Sequence, residues 1–359
     1  MKKKTVVVGM SGGVDSSVAA CLLQKQGYDV IGVTMQIWKQ EDMRQQAENE
    51  GCCGLSAVDD ARRVAQILDI PHYVMNFRDI FKETVMDYFV AEYLAGRTPN
   101  PCIACNRYVK WEALLQRSLS IGADAIATGH YAQIAQLNNG RYTLRMSGSA
   151  KDQTYALYGL TQEQLSRTLM PLAGYTKEEV RGLAREYRLP VAHKPDSQEI
   201  CFIPDNDYAG FIERTAGERT PPPGNFVTAD GTVLGRHRGI THYTVGQRKG
   251  LRLAMGRPVF VTAIRPDTNE VVIGEAADVF TDTLICERIN YMAVDAFRDG
   301  ERFLAKVRYG HKGAFCRVEH IGEGRVRCVF DEPVRAVTPG QAAVFYADGC
   351  VAFGGTING

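Results

Sequence analysis

Two kinds of segment carry most of the residues able to do chemistry. The first, Gly9-Met10-Ser11-Gly12-Gly13-Val14-Asp15-Ser16, joins a β-branched run to a helical pattern. Glycines let a backbone come close to a ligand, and consecutive amides at a helix N-terminus attract anions, so the loop suits a polyphosphate. Asp15 is placed to hold a magnesium ion, and Ser11 and Ser16 to hydrogen-bond phosphate oxygens. A capped turn needs only Ser16, and the density of Gly, Ser and Asp exceeds that need. A Walker A loop requires Gly-Lys-Ser/Thr, and this loop has no lysine. Gly9 to Gly13 also satisfies Gly-x-Ser-x-Gly, but that nucleophile elbow follows several strands in α/β-hydrolases, whereas only eight residues precede it here.

The second kind holds thiols. Thr98-Pro99-Asn100-Pro101-Cys102-Ile103-Ala104-Cys105-Asn106 reads as a proline-stiffened loop with a Cys-x-x-Cys pair, and Cys201 lies in another proline-bounded loop, Lys194 to Pro204. Cys-x-x-Cys by itself is open to redox, zinc and iron–sulfur uses. Structural zinc normally takes four ligands, and Cys52-Cys53 would have to complete the set, though adjacent cysteines rarely both reach one ion. Cys21, Cys286, Cys316, Cys328 and Cys350 sit in apolar patterns and read as packing.

The elements around these segments alternate strand and helix. Thr5–Gly9, Asp29–Gln36, Pro71–Asn76 and Asp124–Thr128 read as strands, with helices over Ser16–Gln26, Ala57–Leu68, Ile80–Leu94 and Trp111–Leu119. This alternation predicts a doubly wound α/β sheet with its ligand outside the strand C-termini. Beyond Pro204 the texture changes: Pro221-Pro222-Pro223-Gly224 marks a linker, and short β-branched runs follow between turns. The division predicted is a catalytic domain over 1–204, a central β-rich domain over 205–281 and a last β domain over 282–359.

Composition narrows the class. The 359 residues are 45% hydrophobic and 23% charged, as in globular domains. No apolar run approaches the ~20 residues of a membrane span, and ten cysteines suit a reducing compartment. The chain therefore reads as cytoplasmic and free of the membrane. The net charge of +1 hides a local excess: between Asp230 and Asp267 there is no acid, but Arg236, Arg238, Arg248, Lys249, Arg252, Arg257 and Arg265 occur with His237, His242 and Tyr243 among them. Such a stretch predicts a phosphate-binding surface, joined by Arg308, His311, Lys312, Arg317 and a stacking Tyr309.

The octapeptide resembles the loop of N-type ATP pyrophosphatases, which cleave ATP to AMP and pyrophosphate and adenylate a carbonyl oxygen. Asn100-Pro101, Cys105-Asn106, Ala127-Thr128-Gly129-His130-Tyr131, Lys151-Asp152-Gln153, the Cys201 loop, Tyr243 to Gly250 and Arg308-Tyr309 follow it in order. With these, the whole chain resembles the tRNA-specific 2-thiouridylase family. The resemblance implies an adenine nucleotide alpha hydrolase-like (HUP) first domain and a closing β-barrel. It implies ATP and Mg2+ as cofactors and adenylation of the C2 oxygen of the wobble uridine (U34), which sulfur then replaces to give 2-thiouridine. It also implies ATP contacts at Gly9, Met10, Ser11, Gly12, Gly13, Val14, Asp15, Ser16, Met35 and Gly129, and a catalytic set of Asp15, Cys105 and Cys201. Asn100, Pro101 and Cys102 would meet the target base, while His130, Lys151, Asp152, Gln153, Arg308, Tyr309 and Gln341 would meet tRNA.

In the persulfide version Cys201 receives sulfur and Cys105 assists its release, leaving a transient disulfide. Many family members carry aspartate where this chain has Cys102. With Cys105 and Cys201 it makes a set of three thiols that suits a 4Fe–4S cluster with one open iron. The implied partners are tRNAs for Lys, Glu and Gln, and a sulfur donor, either a cysteine desulfurase relay protein or sulfide. Two rivals stand beside this reading: a synthetase with the same loop adenylating a small-molecule carbonyl, and a non-catalytic RNA-binding module.

Overall fold

A computed structural model describes residues 3–37, 55–147, 151–196, 200–322 and 324–358. Cys52 and Cys53 lie outside the described residues. The chain packs as two units, one of Met1–Met86, Cys102–Asn206 and Gly349–Val351, the other of Asp87–Pro101, Asp207–Asp348 and Ala352–Gly359.

The first unit is built on a parallel sheet. Strands β1 (Thr5–Gly9), β2 (Asp29–Gln36), β3 (His72–Asn76), β4 (Ala125–Ala127) and β7 (Thr168–Leu169) lie in the order β3-β2-β1-β4-β7. The central strand β1 pairs in parallel with β2 and β4, and Val6, Val7 and Val8 have no exposed surface. A β-branched run buried on both faces is what a central parallel strand requires. The helices Val14–Lys25, Leu55–Leu68 and Lys177–Glu186 contribute Val18, Ala61, Val64, Val180 and Ala184 to the core against it. A β-hairpin, β5 (Gln133–Gln136) with β6 (Tyr142–Arg145), also belongs to this unit.

One sequence expectation is corrected here. The segment holding Cys102 and Cys105 is not a loop but a helix that opens at Pro101–Ala104, widens to a π-helix over Cys105–Leu114 and ends as Leu115–Ser120. Proline suits a first helical turn, since its missing N–H has no partner there and its φ is already helical. The wider π turns are uncommon and concentrate at functional sites.

The second unit holds two β modules. The strands β8 (Asn225–Val227), β9 (Val233–Arg236), β10 (Phe260–Arg265) and β11 (Glu270–Gly274) lie in the order β10-β11-β8-β9 around Phe226, Ile240, Tyr243, Val261 and Val271. The helices Tyr88–Leu94 and Tyr208–Ala216 meet through Phe89 and Phe211, 6.3 Å between ring centres, and Tyr93 and Tyr208, 5.3 Å. The last module is an antiparallel barrel of β12 (Phe280–Tyr291), β13 (Glu301–Lys306), β14 (Ala314–His320), β15 (Val326–Arg335), β16 (Ala342–Ala347) and β17 (Cys350–Ile357). Its order is β12-β15-β14-β13-β16-β17, and β12 pairs again with β17 to close it. Closure leaves no sheet edge to cover.

Phe353 anchors the barrel core. It has no exposed surface and stacks on Phe345 at 4.4 Å and Phe297 at 4.9 Å, with Phe303 edge-on at 5.2 Å. Phe353→Ala is expected to cost about 3–5 kcal/mol in urea unfolding, as a large aromatic cavity does. A loss under about 1 kcal/mol would mean that the barrel collapses into the gap.

Candidate active site

The octapeptide leaves β1 and opens the helix Val14–Lys25, whose N-cap, Gly13, makes no side-chain capping bond. Internal bonds shape the turn: Ser11 N donates to Ser16 Oγ at 3.2 Å, and Ser17 Oγ donates to Gly13 O at 2.8 Å. Gly129, after β4, lies so close that a Cβ on it would stand 2.7 Å from the Asp15 carbonyl carbon and the Ser16 nitrogen. A side chain there is incompatible with the loop.

A pocket opens at this place. Gly9, Ser11, Asp15, Ser16, Met35 and Gly129 line it, which brings together six of the positions expected at ATP. Met10 and Val14 do not face it; their side chains are core, 1% and 3% exposed. Gly12 and Gly13 shape the turn and are not in the lining. His130 and Gln153, expected at tRNA, line the pocket instead, together with Lys110, Leu114 and Thr128, which sequence reasoning missed. Lys110 comes from the π-helix, where its Nζ donates to Asn106 Oδ1 at 2.9 Å. His130 packs on Trp111 at 5.5 Å and shares a 2.7 Å hydrogen bond with Thr128. Burial, and then the Lys110 charge, push its imidazole well below the usual range, so it is neutral at pH 7.

Behind the loop lies an ion network. Asp15 Oδ1 accepts from Tyr131 OH at 2.8 Å and from Lys177 Nζ at 2.6 Å. The same ammonium is 2.7 Å from Asp196 Oδ1, and Asp196 also pairs with Arg181 at 3.2 Å and with Lys151. Burial works to raise the Asp196 carboxyl, but hydrogen bonds from Lys151 and Lys177 outweigh it and lower the pKa to about 2. Lys151, expected at tRNA, is thus engaged within the network. Asp152 caps its own turn, accepting from Ser147 N at 2.8 Å and Thr154 Oγ1 at 2.5 Å. Both hydrogen bonds to Asp15 fall on Oδ1, so Oδ2 is the oxygen that would be left to hold a magnesium ion.

The thiols sit apart from the pocket lining. Cys102 is exposed; Cys105 and Cys201 are half-buried. Among the described residues no three His, Cys, Asp or Glu are grouped so as to hold a metal ion. Cys102, Cys105 and Cys201 therefore do not form a cluster-ready set in this structure. Burial raises the Cys105 thiol above its ordinary value; Lys110 opposes this and Cys102 adds to it.

In the second unit the seven cations between Asp230 and Asp267 are all exposed, but Arg257 pairs with Glu275 and Arg265 with Glu270, at 3.3 Å for the latter. The interleaved His237 and Tyr243 are core, 2% and 3% exposed, and His242 bonds Glu213 at 2.8 Å. His237 and Tyr243 therefore do not share the surface with the cations they are interleaved with: their rings pack inside the module. Tyr309 is 48% exposed, and the neighbouring Arg308 donates to Arg335 O at 2.8 Å. The Gln341 amide donates to Thr98 O at 2.7 Å.

The parallel sheet, glycine loop and pocket define a nucleotide-binding α/β domain of the ATP pyrophosphatase kind, in a chain that continues into β modules. Residues 4–205 match the family described as the tRNA methyl transferase HUP domain, 209–275 its PRC-barrel domain, and 281–357 the aminomethyltransferase beta-barrel domain. A tRNA-specific 2-thiouridylase MnmA of Lachnoclostridium phytofermentans is 66% identical over 355 residues, 99% of each chain. The protein of that name from Carboxydothermus hydrogenoformans is 55% identical over 357 residues, 99% of this chain and 98% of its own. A 4-thiouridine synthetase in complex with RNA and ATP aligns with 60% of this chain and 51% of its own, at 17% identity and a TM-score of 0.34, too distant a likeness to carry an argument. The chain belongs to the tRNA-specific 2-thiouridylase family.

The Cys105 environment has a measurable consequence. Iodoacetamide alkylation of Cys105 is expected to rise at higher pH than that of an exposed free thiol, because a thiol reacts as its thiolate. Lys110→Met removes the lowering charge and is expected to move that rise to still higher pH. A rate already at its plateau by pH 8 would contradict the assignment.

Proposed function

We propose that the chain catalyses ATP-dependent 2-thiolation of the wobble uridine (U34) of tRNA. The uridine C2 oxygen attacks the α-phosphorus of ATP and pyrophosphate leaves, which turns a poor leaving group into AMP. Gly9 to Ser16 bind the phosphates, Met35 and Gly129 contact the nucleotide, and Asp15 holds Mg2+. Cys201 carries the sulfur as a persulfide, whose terminal sulfur attacks C2 as AMP departs. Cys105 then attacks the Cys201 sulfur. The S–S bond to the transferred atom breaks, its electron pair stays with the thiocarbonyl sulfur, and a Cys105–Cys201 disulfide remains for a cellular thiol to reduce. The persulfide is preferred to a cluster because, among the described residues, Cys102, Cys105 and Cys201 are not grouped as a three-ligand set.

The observation that carries this reading is Lys110, which lines the nucleotide pocket while its charge bears on the Cys105 thiol. It links the adenylation pocket to a thiol, which a synthetase acting on a small-molecule carbonyl does not need. Asn100, Pro101 and Cys102 would meet the base. The exposed cations of the central module, with Arg308 and Tyr309, suit phosphate binding and stacking. The tRNAs would be those for Lys, Glu and Gln, and the donor a cysteine desulfurase relay. No helix among the described residues is long and apolar enough to cross a membrane.

The test is nucleoside mass spectrometry of tRNA incubated with the protein, Mg·ATP and a desulfurase with cysteine, or sulfide, alongside anaerobic iron and sulfide analysis. The expected result is 2-thiouridine from the persulfide donor by iron-free protein, and none with Cys105→Ala or Cys201→Ala. Undiminished activity in both variants would contradict the thiol roles. Stoichiometric iron that is lost in Cys102→Ala, with sulfide-driven product, would replace the persulfide by a cluster.

A further inference from the structure

The stretch that leads into Asn100 is held by the second unit at several points. Arg97 forms a two-pronged pair with the buried Glu92, Nε at 2.8 Å and Nη2 at 2.6 Å. Both polar groups of the Thr98 peptide are then taken by one turn of the closing barrel: Thr98 N donates to Pro339 O at 2.8 Å, and Thr98 O accepts from Gln341 Nε2 at 2.7 Å. The turn is itself fixed to the end of β17, since Gly340 N donates to Ile357 O at 2.9 Å and Ile357 N donates to Gln341 O at 2.8 Å. Gly340 has φ +89°, and a Cβ on it would stand 2.9 Å from Thr98 N and 3.0 Å from Arg97 Cβ. From the central module, the Thr244 hydroxyl completes the grip at 3.4 Å from that of Thr98.

We infer that Gln341 is a positioning residue for thiolation: with Pro339 and Gly340 it fixes the Thr98 peptide, and so the start of the Asn100–Pro101 segment, instead of serving mainly as a contact to tRNA. The inference rests on the proposed placing of Asn100 and Pro101 at the target base. Its physical basis is that an extended segment has two soft dihedrals per residue, and Thr98 lies only two residues before Asn100. Pinning the Thr98 N–H and C=O to one barrel turn removes that freedom just ahead of the working residues. The glutamine amide is the donor of one of the two bonds, and nothing else bonds that carbonyl among the described contacts.

The experiment compares Gln341→Leu, which cannot donate, and Gly340→Ala, which crowds Thr98 from the same turn with the Gln341 side chain intact. In both, kcat for 2-thiouridine formation is expected to fall by roughly 10- to 100-fold, the order of loss when reacting groups are displaced by about an ångström. The tRNA Kd by filter binding and the KM for ATP are expected to stay at the wild-type values, and hydrogen exchange at Thr98 to quicken, with the Tm unchanged in Gln341→Leu and both variants folded at the assay temperature. A tRNA Kd that rises in step with the loss would make Gln341 a tRNA contact and overturn the positioning role. So would an unchanged kcat, or a loss explained by a lowered Tm in both variants. Wild-type protein that binds tRNA but makes no 2-thiouridine would overturn the functional reading itself, and the positioning role with it.

Discussion

A single buried ammonium organises the first unit. Lys177 is 8% exposed and stands 2.6 Å from Asp15 and 2.7 Å from Asp196. A charge so placed persists only with partners, and removing one partner of such a pair typically costs about 3–5 kcal/mol. Both carboxylates are therefore tied to where Lys177 can reach. The Thr176–Glu179 capping box starts its helix one residue earlier and so sets that position. Asp15 sits in the first turn after the glycine loop, so the rotamer of its carboxylate depends on a helix more than 150 residues away in sequence.

The same logic of burial against charge divides the thiols. Cys286, Cys316, Cys328 and Cys350 are buried in β-structure and pack as small apolar groups. Burial first, and then the neighbouring Cys316 and Glu287, drive the Cys286 thiol up to about 12. Cys105 shares the desolvation but has Lys110 near it, and Lys110 also faces the nucleotide pocket.

What was legible in the sequence was what chemistry demands locally. The glycine loop, its strand and its helix need neighbours only, so Gly9 to Ser16 could be read directly, and Val6 to Val8 announced a central parallel strand. Lys110, Tyr131 and Lys177 were not legible as site residues, because only the fold brings them to Asp15 or the pocket. Two misreadings had physical causes. In the sequence Pro101 reads as the stiffener of a loop, but proline also favours the first turn of a helix, where the structure places it. By spacing His237 and Tyr243 group with the surface cations, but their rings pack on Phe226 at 5.5 and 5.1 Å. Charge spacing alone does not tell which face of a short strand or turn is inward. Nor did the sequence announce that residues 87–101 pack with the β modules; that follows from Phe89 and Tyr93 finding aromatic partners on a later helix.

The central claim is that one ATP is spent as an adenylating agent for each oxygen replaced by sulfur. It is tested most directly by a single turnover with excess protein, α-labelled ATP and tRNA, in which AMP and 2-thiouridine are counted in the same quenched samples. The account requires AMP and 2-thiouridine to appear in equal amounts, with pyrophosphate and no ADP. Thiolation without AMP, or ADP as the nucleotide product, would contradict it.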